Sequence, residues 1–157
     1  EQSNSTGISV DGDASKLVLT DSTVSNHFRG VEIDTLANAA ITGTTFTGTS
    51  PGQTRGIEIN SNADVANISI TGNNFYANNR NVPSPSAGIL YQDTDTLLPA
   101  ANIADNWWGA ASGPTQDTHS IVDDIDGILD DNDSTLTQVG WPVSFATSLI
   151  TIKPSGL

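Results

Sequence analysis

The sequence predicts an all-β fold, a single-stranded parallel β-helix of about four to five coils that ends in an irregular acidic segment. Three observations carry this expectation. A glycine-led hexapeptide occurs twice almost unchanged, as Arg29-Gly30-Val31-Glu32-Ile33-Asp34 and Arg55-Gly56-Ile57-Glu58-Ile59-Asn60, with weaker copies at Thr6-Gly7-Ile8-Ser9-Val10-Asp11 and Ala87-Gly88-Ile89-Leu90-Tyr91-Gln92. A second series alternates with the first: Leu17-Val18-Leu19-Thr20-Asp21, Ala39-Ala40-Ile41-Thr42-Gly43, Ile68-Ser69-Ile70-Thr71-Gly72 and Ala101-Asn102-Ile103-Ala104-Asp105. The glycines Gly7, Gly30, Gly56 and Gly88 are spaced by 23, 26 and 32 residues, the length of one coil.

Each copy of the first series runs glycine, apolar, any, apolar, polar, the period-2 pattern of a half-buried strand. Five residues past Leu19, Ile41, Ile70 and Ile103 stand Val24, Phe46, Phe75 and Trp108, a third apolar position beyond a polar corner. A propeller blade needs about forty residues, and a leucine-rich horseshoe has its own leucine and asparagine spacing. Short strands, Asn/Gly/Thr corners and the lack of a helical period leave stacked parallel coils. The first coil begins almost at residue 1, so Gly7, Ile8 and Val10 are expected on an edge that either further coils upstream or another molecule covers. Corners lengthen at residues 49–54, 78–86 and 93–100, as binding insertions or as tolerated surface loops.

Five basic residues stand against eighteen acidic ones, giving a formal charge of −13. So few cations cannot displace counterions from a phosphate backbone, which excludes nucleic acid as a partner. No apolar run is long enough to cross a bilayer, so membrane insertion is not expected either. A start at Glu1-Gln2-Ser3 without Met reads as a processed or excised product, and the localisation expected is extracellular or at the cell surface.

The stretch Asn102-Ile103-Ala104-Asp105-Asn106-Trp107-Trp108-Gly109-Ala110-Ala111-Ser112-Gly113-Pro114 resembles the Asn-Trp-Trp-Gly... Ser-Gly-Pro signature near the end of the stack in secreted right-handed parallel β-helix repeat proteins of the pectate-lyase-like and tailspike superfamily. With the Gly-Ile-x-Ile and Ile-Thr-Gly-Asn-Asn-Phe rungs, the resemblance covers about residues 7–114. It implies a right-handed coil and leaves activity open, because the superfamily holds lyases, hydrolases, epimerases, tailspikes and adhesins. Trp108 falls where Phe46 and Phe75 fall and is expected to close the aromatic column. Trp107, whose counterparts are Thr23, Thr45 and Asn74, is either a carbohydrate-stacking platform or packed under the Ser-Gly-Pro loop. Asn106 is expected to stack on Asn73 in an amide ladder.

Residues 1–114 are read as the coils, and 115–157 as an acidic segment and terminal strand of the same domain. Ile121, Val122, Ile125, Ile128 and Leu129 share one face of a short helix, although Gly127 weakens it. Around them lie Asp123, Asp124, Asp126, Asp130, Asp131 and Asp133, an oxygen-rich group that suits calcium or is a solvated acidic turn; it lacks the EF-hand spacing. Calcium is the one cofactor the sequence brings forward. The stretch at 143–153 reads as one long strand or two short ones, with Phe145, Leu149, Ile150 and Ile152 as its apolar residues. It either caps the lower end of the stack or adds to a neighbouring molecule as an exchanged strand.

Catalysis has one candidate, the pair Glu32 and Glu58. Placed outward on adjacent rungs, about 4.7 to 4.9 Å apart, they approach the carboxylate separation of a retaining glycosidase, about 5 to 5.5 Å. Arg29 and Arg55 recur beside them and would neutralise them, and neither His27 nor His119 joins this face by any repeat. The column Thr20, Thr42 and Thr71 resembles a lattice-binding ladder, but it stops at Ala104. Asn4, Asn67 and Asn132 open glycan-acceptor triplets. The function expected is therefore a non-catalytic structural or adhesive module, whose partners are other copies of itself stacked end to end; the alternative is a polysaccharide-binding or polysaccharide-cleaving coil.

Overall fold

In the computed structural model the described residues are 5–48, 55–76, 78, 87–92, 96–109, 111–113, 115–116, 127–130 and 144–152. Three parallel sheets run down the stack. The first holds β1 (Thr6–Val10), β4 (Arg29–Ile33), β7 (Arg55–Ile59) and β10 (Ala87–Tyr91). The second holds β2 (Lys16–Thr20), β5 (Asn38–Thr42) and β8 (Ile68–Thr71), and the third β3 (Thr23–Ser25), β6 (Thr45–Thr47) and β9 (Asn74–Tyr76). Every described pairing is parallel and joins one coil to the next, which makes the fold a parallel β-helix.

Register keeps like on like. Ile8 pairs with Val31, Val31 with Ile57 and Ile57 with Ile89; in the second sheet Leu19 pairs with Ile41 and Ile41 with Ile70. These side chains fill the inside of the coil, where Val31, Ile57, Ile70 and Ile89 are fully buried. Each contributes roughly 1.5 to 3 kcal/mol relative to exposure. In the third position Phe46 stacks on Phe75 at 5.0 Å, and Phe75 on Trp108 at 4.8 Å, with ring planes 8° and 15° apart. Trp108 does close the aromatic column.

The repeated glycine follows from that column. A Cβ on Gly88 would lie 2.9 Å from Cζ3 of Trp108, and one on Gly56 would lie 3.0 Å from Cδ1 of Phe75. Only a residue without a side chain lets the strand pass so close to the rings. The corner from the second sheet to the third is a left-handed residue in all four coils: Asp21, Gly43, Gly72 and Asp105 have φ of 48°, 59°, 67° and 59°. Glycine and the short polar residues tolerate this conformation best.

Next to this corner lies the expected amide ladder. Asn73 and Asn106 are fully buried. Oδ1 of Asn106 accepts from the Asn73 backbone N–H at 2.8 Å, and Oδ1 of Asn73 accepts from the Thr44 N–H at 2.9 Å. Their Nδ2 groups donate upward to the carbonyls of Ile70 and Ile41. The backbone polar groups of a buried corner are thus satisfied from one coil to the next.

Three expectations change. The fourth member of the second series is a 3-10 turn, Ala100–Ile103, rather than a strand. Pro99 precedes it, the Asn102 N–H donates to the Pro99 carbonyl at 2.9 Å, and Ile103 still points into the core. The helix expected around 121–129 is not formed at its second half: Gly127–Asp130 is strand β12, whose Ile128 pairs with Ile89 and Leu129 with Leu90. Backbone pairing to an open sheet edge outweighs a short apolar stripe interrupted by glycine. Residues 121–126 lie outside the described residues. Strand order also departs from chain order, since β12 lies between β10 and β11 (Thr115–Gln116). Finally, residues 144–152 form a single bridge, Phe145 to Asn106, in place of a regular strand. The corners at 49–54, 79–86 and 93–95 lie outside the described residues.

Candidate functional site

The repeated Arg-Gly-x-Glu strands build a four-membered charge cluster on the first sheet. Register sets Arg29 against Arg55 and Glu32 against Glu58. Like charges on adjacent rungs repel, and the cluster resolves this diagonally. Arg29 Nε donates to Oε2 of Glu58 at 2.6 Å, across the rung, and Arg55 Nη1 donates to the same oxygen. Glu32 lies 3.6 Å from Arg29 Nε and accepts from the Thr6 hydroxyl at 3.2 Å. Both guanidinium carbons lie over the Phe28 ring, at 5.1 and 5.0 Å, so cation–π contact adds to the ion pairs.

Glu58 differs from its outward, solvent-facing expectation: its side chain is 4% exposed, against 20% for Glu32. A carboxylate so far removed from water is tolerated only with strong partners, and here two guanidiniums share one oxygen. Two positive and two negative groups make the cluster neutral as a unit. Its polar line continues through Asp34, Asn60 and Gln92, whose backbone N–H groups donate to Val10, Ile33 and Ile59.

Trp107 continues the third sheet below β9. It bridges Asn74, its N–H donates to the Asn73 carbonyl, and its carbonyl accepts from Phe75, each bond at 2.8 Å. The ring is half-buried and meets the half-buried Tyr76 edge to face, with centroids 5.8 Å apart and planes at 63°. Sequence reasoning missed Tyr76, although the position two residues after Asn74 in the short third strand was available to find it.

Of the assembly residues, Gly7, Ile8 and Val10 lie in β1, at the edge of the first sheet. Ile8 and Val10 are half-buried, and a Cβ on Gly7 would lie 2.8 Å from the His27 ring. Phe145, 37% exposed, lies on Gly113, where a Cβ would come within 2.5 Å of the ring. Leu149 is 56% exposed, while Ile150 and Ile152 are half-buried. The segment caps the lower corner of the stack: the Asp105 N–H donates to Ser144 O and the Ala146 N–H to Asn106 O, both at 2.9 Å. It then reaches Asn74, whose side chain bonds to both backbone groups of Ile150. That contact had no sequence signal.

Among the metal candidates, Asp130 lies in β12, paired with Tyr91; Asp123, Asp124, Asp126, Asp131 and Asp133 lie outside the described residues, as does His119. Among the described residues no group of three or more His, Asp or Glu stands ready to hold a metal ion. No described helix is long and apolar enough to cross a membrane. The acceptor Asn67 is exposed and its amide donates to Asp64 at 2.8 Å. Thr20, Thr42 and Thr71 do stand in register.

Comparison with protein families finds a match to the right-handed beta helix region over residues 1–111. The comparison with curated proteins returned no match, and neither did the comparison with solved structures.

Proposed function

Because the chain belongs to the family of right-handed β-helix proteins, we propose that it is a non-catalytic structural or adhesive module, extracellular or at the cell surface, that stacks its first described coil on the lower end of another copy. The observation carrying this reading is a loss of burial at one end of the apolar column. Ile8, Val10, Leu17 and Leu19 are half-buried, whereas their register partners Val31, Ile33, Ala39 and Ile41 are at most 1% exposed. Another parallel coil, placed about 4.8 Å above, would bury all four. It would also pair the strand edges of β1, β2 and β3, which stand at the ends of their sheets among the described residues.

The lower end is built differently, from β11, the 3-10 turn and the Ser144–Phe145 corner. Contact between two unlike surfaces propagates as an open filament or closes as a ring, and does not give a two-fold dimer. A charge of −13 keeps the sides of neighbouring stacks apart.

Sedimentation velocity over a range of concentrations tests the proposal. The unmodified protein is expected to gain larger species as concentration rises, and Ile8→Lys, folded by circular dichroism, to remain a monomer. A single monomeric species at every concentration for the unmodified protein contradicts the reading.

The competing reading, polysaccharide cleavage by Glu32 and Glu58, requires a buried carboxylate already shared by two guanidiniums to meet a substrate. Its test is turnover of neutral and acidic polysaccharides. A rate abolished by Glu32→Gln supports cleavage, and no turnover by the unmodified protein retires it.

A further inference from the structure

We propose that Tyr76 and Trp107 form a binding site for a neutral polysaccharide on the outer face of the third sheet. The two rings meet edge to face at 5.8 Å and both are half-buried, so part of each remains open to solvent. Among the described residues, neither the Tyr76 hydroxyl nor the Trp107 indole N–H is hydrogen-bonded.

The combination selects the ligand chemistry. A pyranose ring offers an apolar face of C–H groups and a rim of hydroxyls, and it needs aromatic surface with donors and acceptors at its margin. Charge narrows the class further. No Lys or Arg stands in β3, β6 or β9: Lys16 opens β2, while Arg29 and Arg55 face Glu58 on the first sheet. A uronate chain would be repelled by a protein of charge −13. A neutral glycan meets no such repulsion. The rings lie on the third and fourth coils, on the side of the stack and below the first described coil. The proposal therefore stands or falls independently of assembly.

Affinity electrophoresis through gels holding hydroxyethylcellulose, galactomannan or polygalacturonate tests it. Retardation by at least one of the two neutral polymers is expected, weakened about tenfold by Trp107→Ala. Tyr76→Phe, which removes one oxygen and leaves the ring packing intact, is expected to weaken it severalfold. No retardation by either neutral polymer overturns the proposal. So does retardation by polygalacturonate alone, or retardation unchanged in both Trp107→Ala and Tyr76→Phe; should Trp107→Ala lose its fold, Tyr76→Phe decides.

Discussion

The side chain of Asn74 grips the backbone of Ile150 with both of its polar atoms. Nδ2 donates to the Ile150 carbonyl at 3.0 Å, and Oδ1 accepts from the Ile150 N–H at 2.9 Å. One carboxamide thus acts as a two-bond strand partner for a segment 76 residues further along the chain. The same residue pairs by its backbone with Thr45 above and Trp107 below. The terminal segment is tied in this way to the third sheet by the residue next to the amide ladder.

Replacing Asn74 by Ala is expected to free that segment. Two partly buried hydrogen bonds are lost, at roughly 0.5 to 1.5 kcal/mol each. Hydrogen exchange at the Ile150 amide should accelerate by more than about tenfold, with exchange in β4 and β5 unchanged. Unchanged Ile150 exchange would contradict the tie.

Asn106→Ala should be more costly, because it strands the Asn73 N–H and the carbonyls of Ile70 and Ile103 inside the stack. A loss of about 2 to 4 kcal/mol is expected. Denaturant unfolding measures it; a loss below about 1 kcal/mol would mean that water replaces the amide.

In the charge cluster the two glutamates should separate. Glu58→Ala removes the shared carboxylate from two guanidiniums and is expected to cost about 3 kcal/mol or more. Glu32→Ala, at the more exposed end, should cost about 1 kcal/mol or less. Equal losses in thermal unfolding would contradict the burial difference between them.

Gly88→Ala tests the fit between the glycine column and the rings. Its Cβ would lie 2.9 Å from the Trp108 ring, with Cβ of Phe75 at 3.2 Å. A loss of about 1 to 3 kcal/mol and a change in near-ultraviolet circular dichroism are expected. A variant as stable as the original would mean that the column is loosely packed.

Much of this architecture was legible because a stacked coil repeats its needs. The rungs beside the ring column require a residue without a side chain there, and every corner a left-handed residue, so Gly56, Gly88, Gly43 and Gly72 recur visibly in the sequence. Phe46, Phe75 and Trp108 were readable for the same reason. Gly127-Ile128-Leu129 repeats Gly88-Ile89-Leu90 and could have revealed β12 as a further rung, but its apolar neighbours also fit a helical stripe. The burial of Glu58 was not legible, since a repeat fixes register and not the depth at which a diagonal partner holds a side chain. Nor was the tie between Asn74 and Ile150, made by residues that share no repeat.

The most direct test of the account is negative-stain electron microscopy of the unmodified protein beside Ile8→Lys, as isolated and after dilution. Fibres or rings with a repeat equal to the height of one stacked subunit, lost in Ile8→Lys and shortened on dilution, are the predicted result. Dispersed single particles of the unmodified protein at every concentration would contradict end-to-end stacking through the first coil.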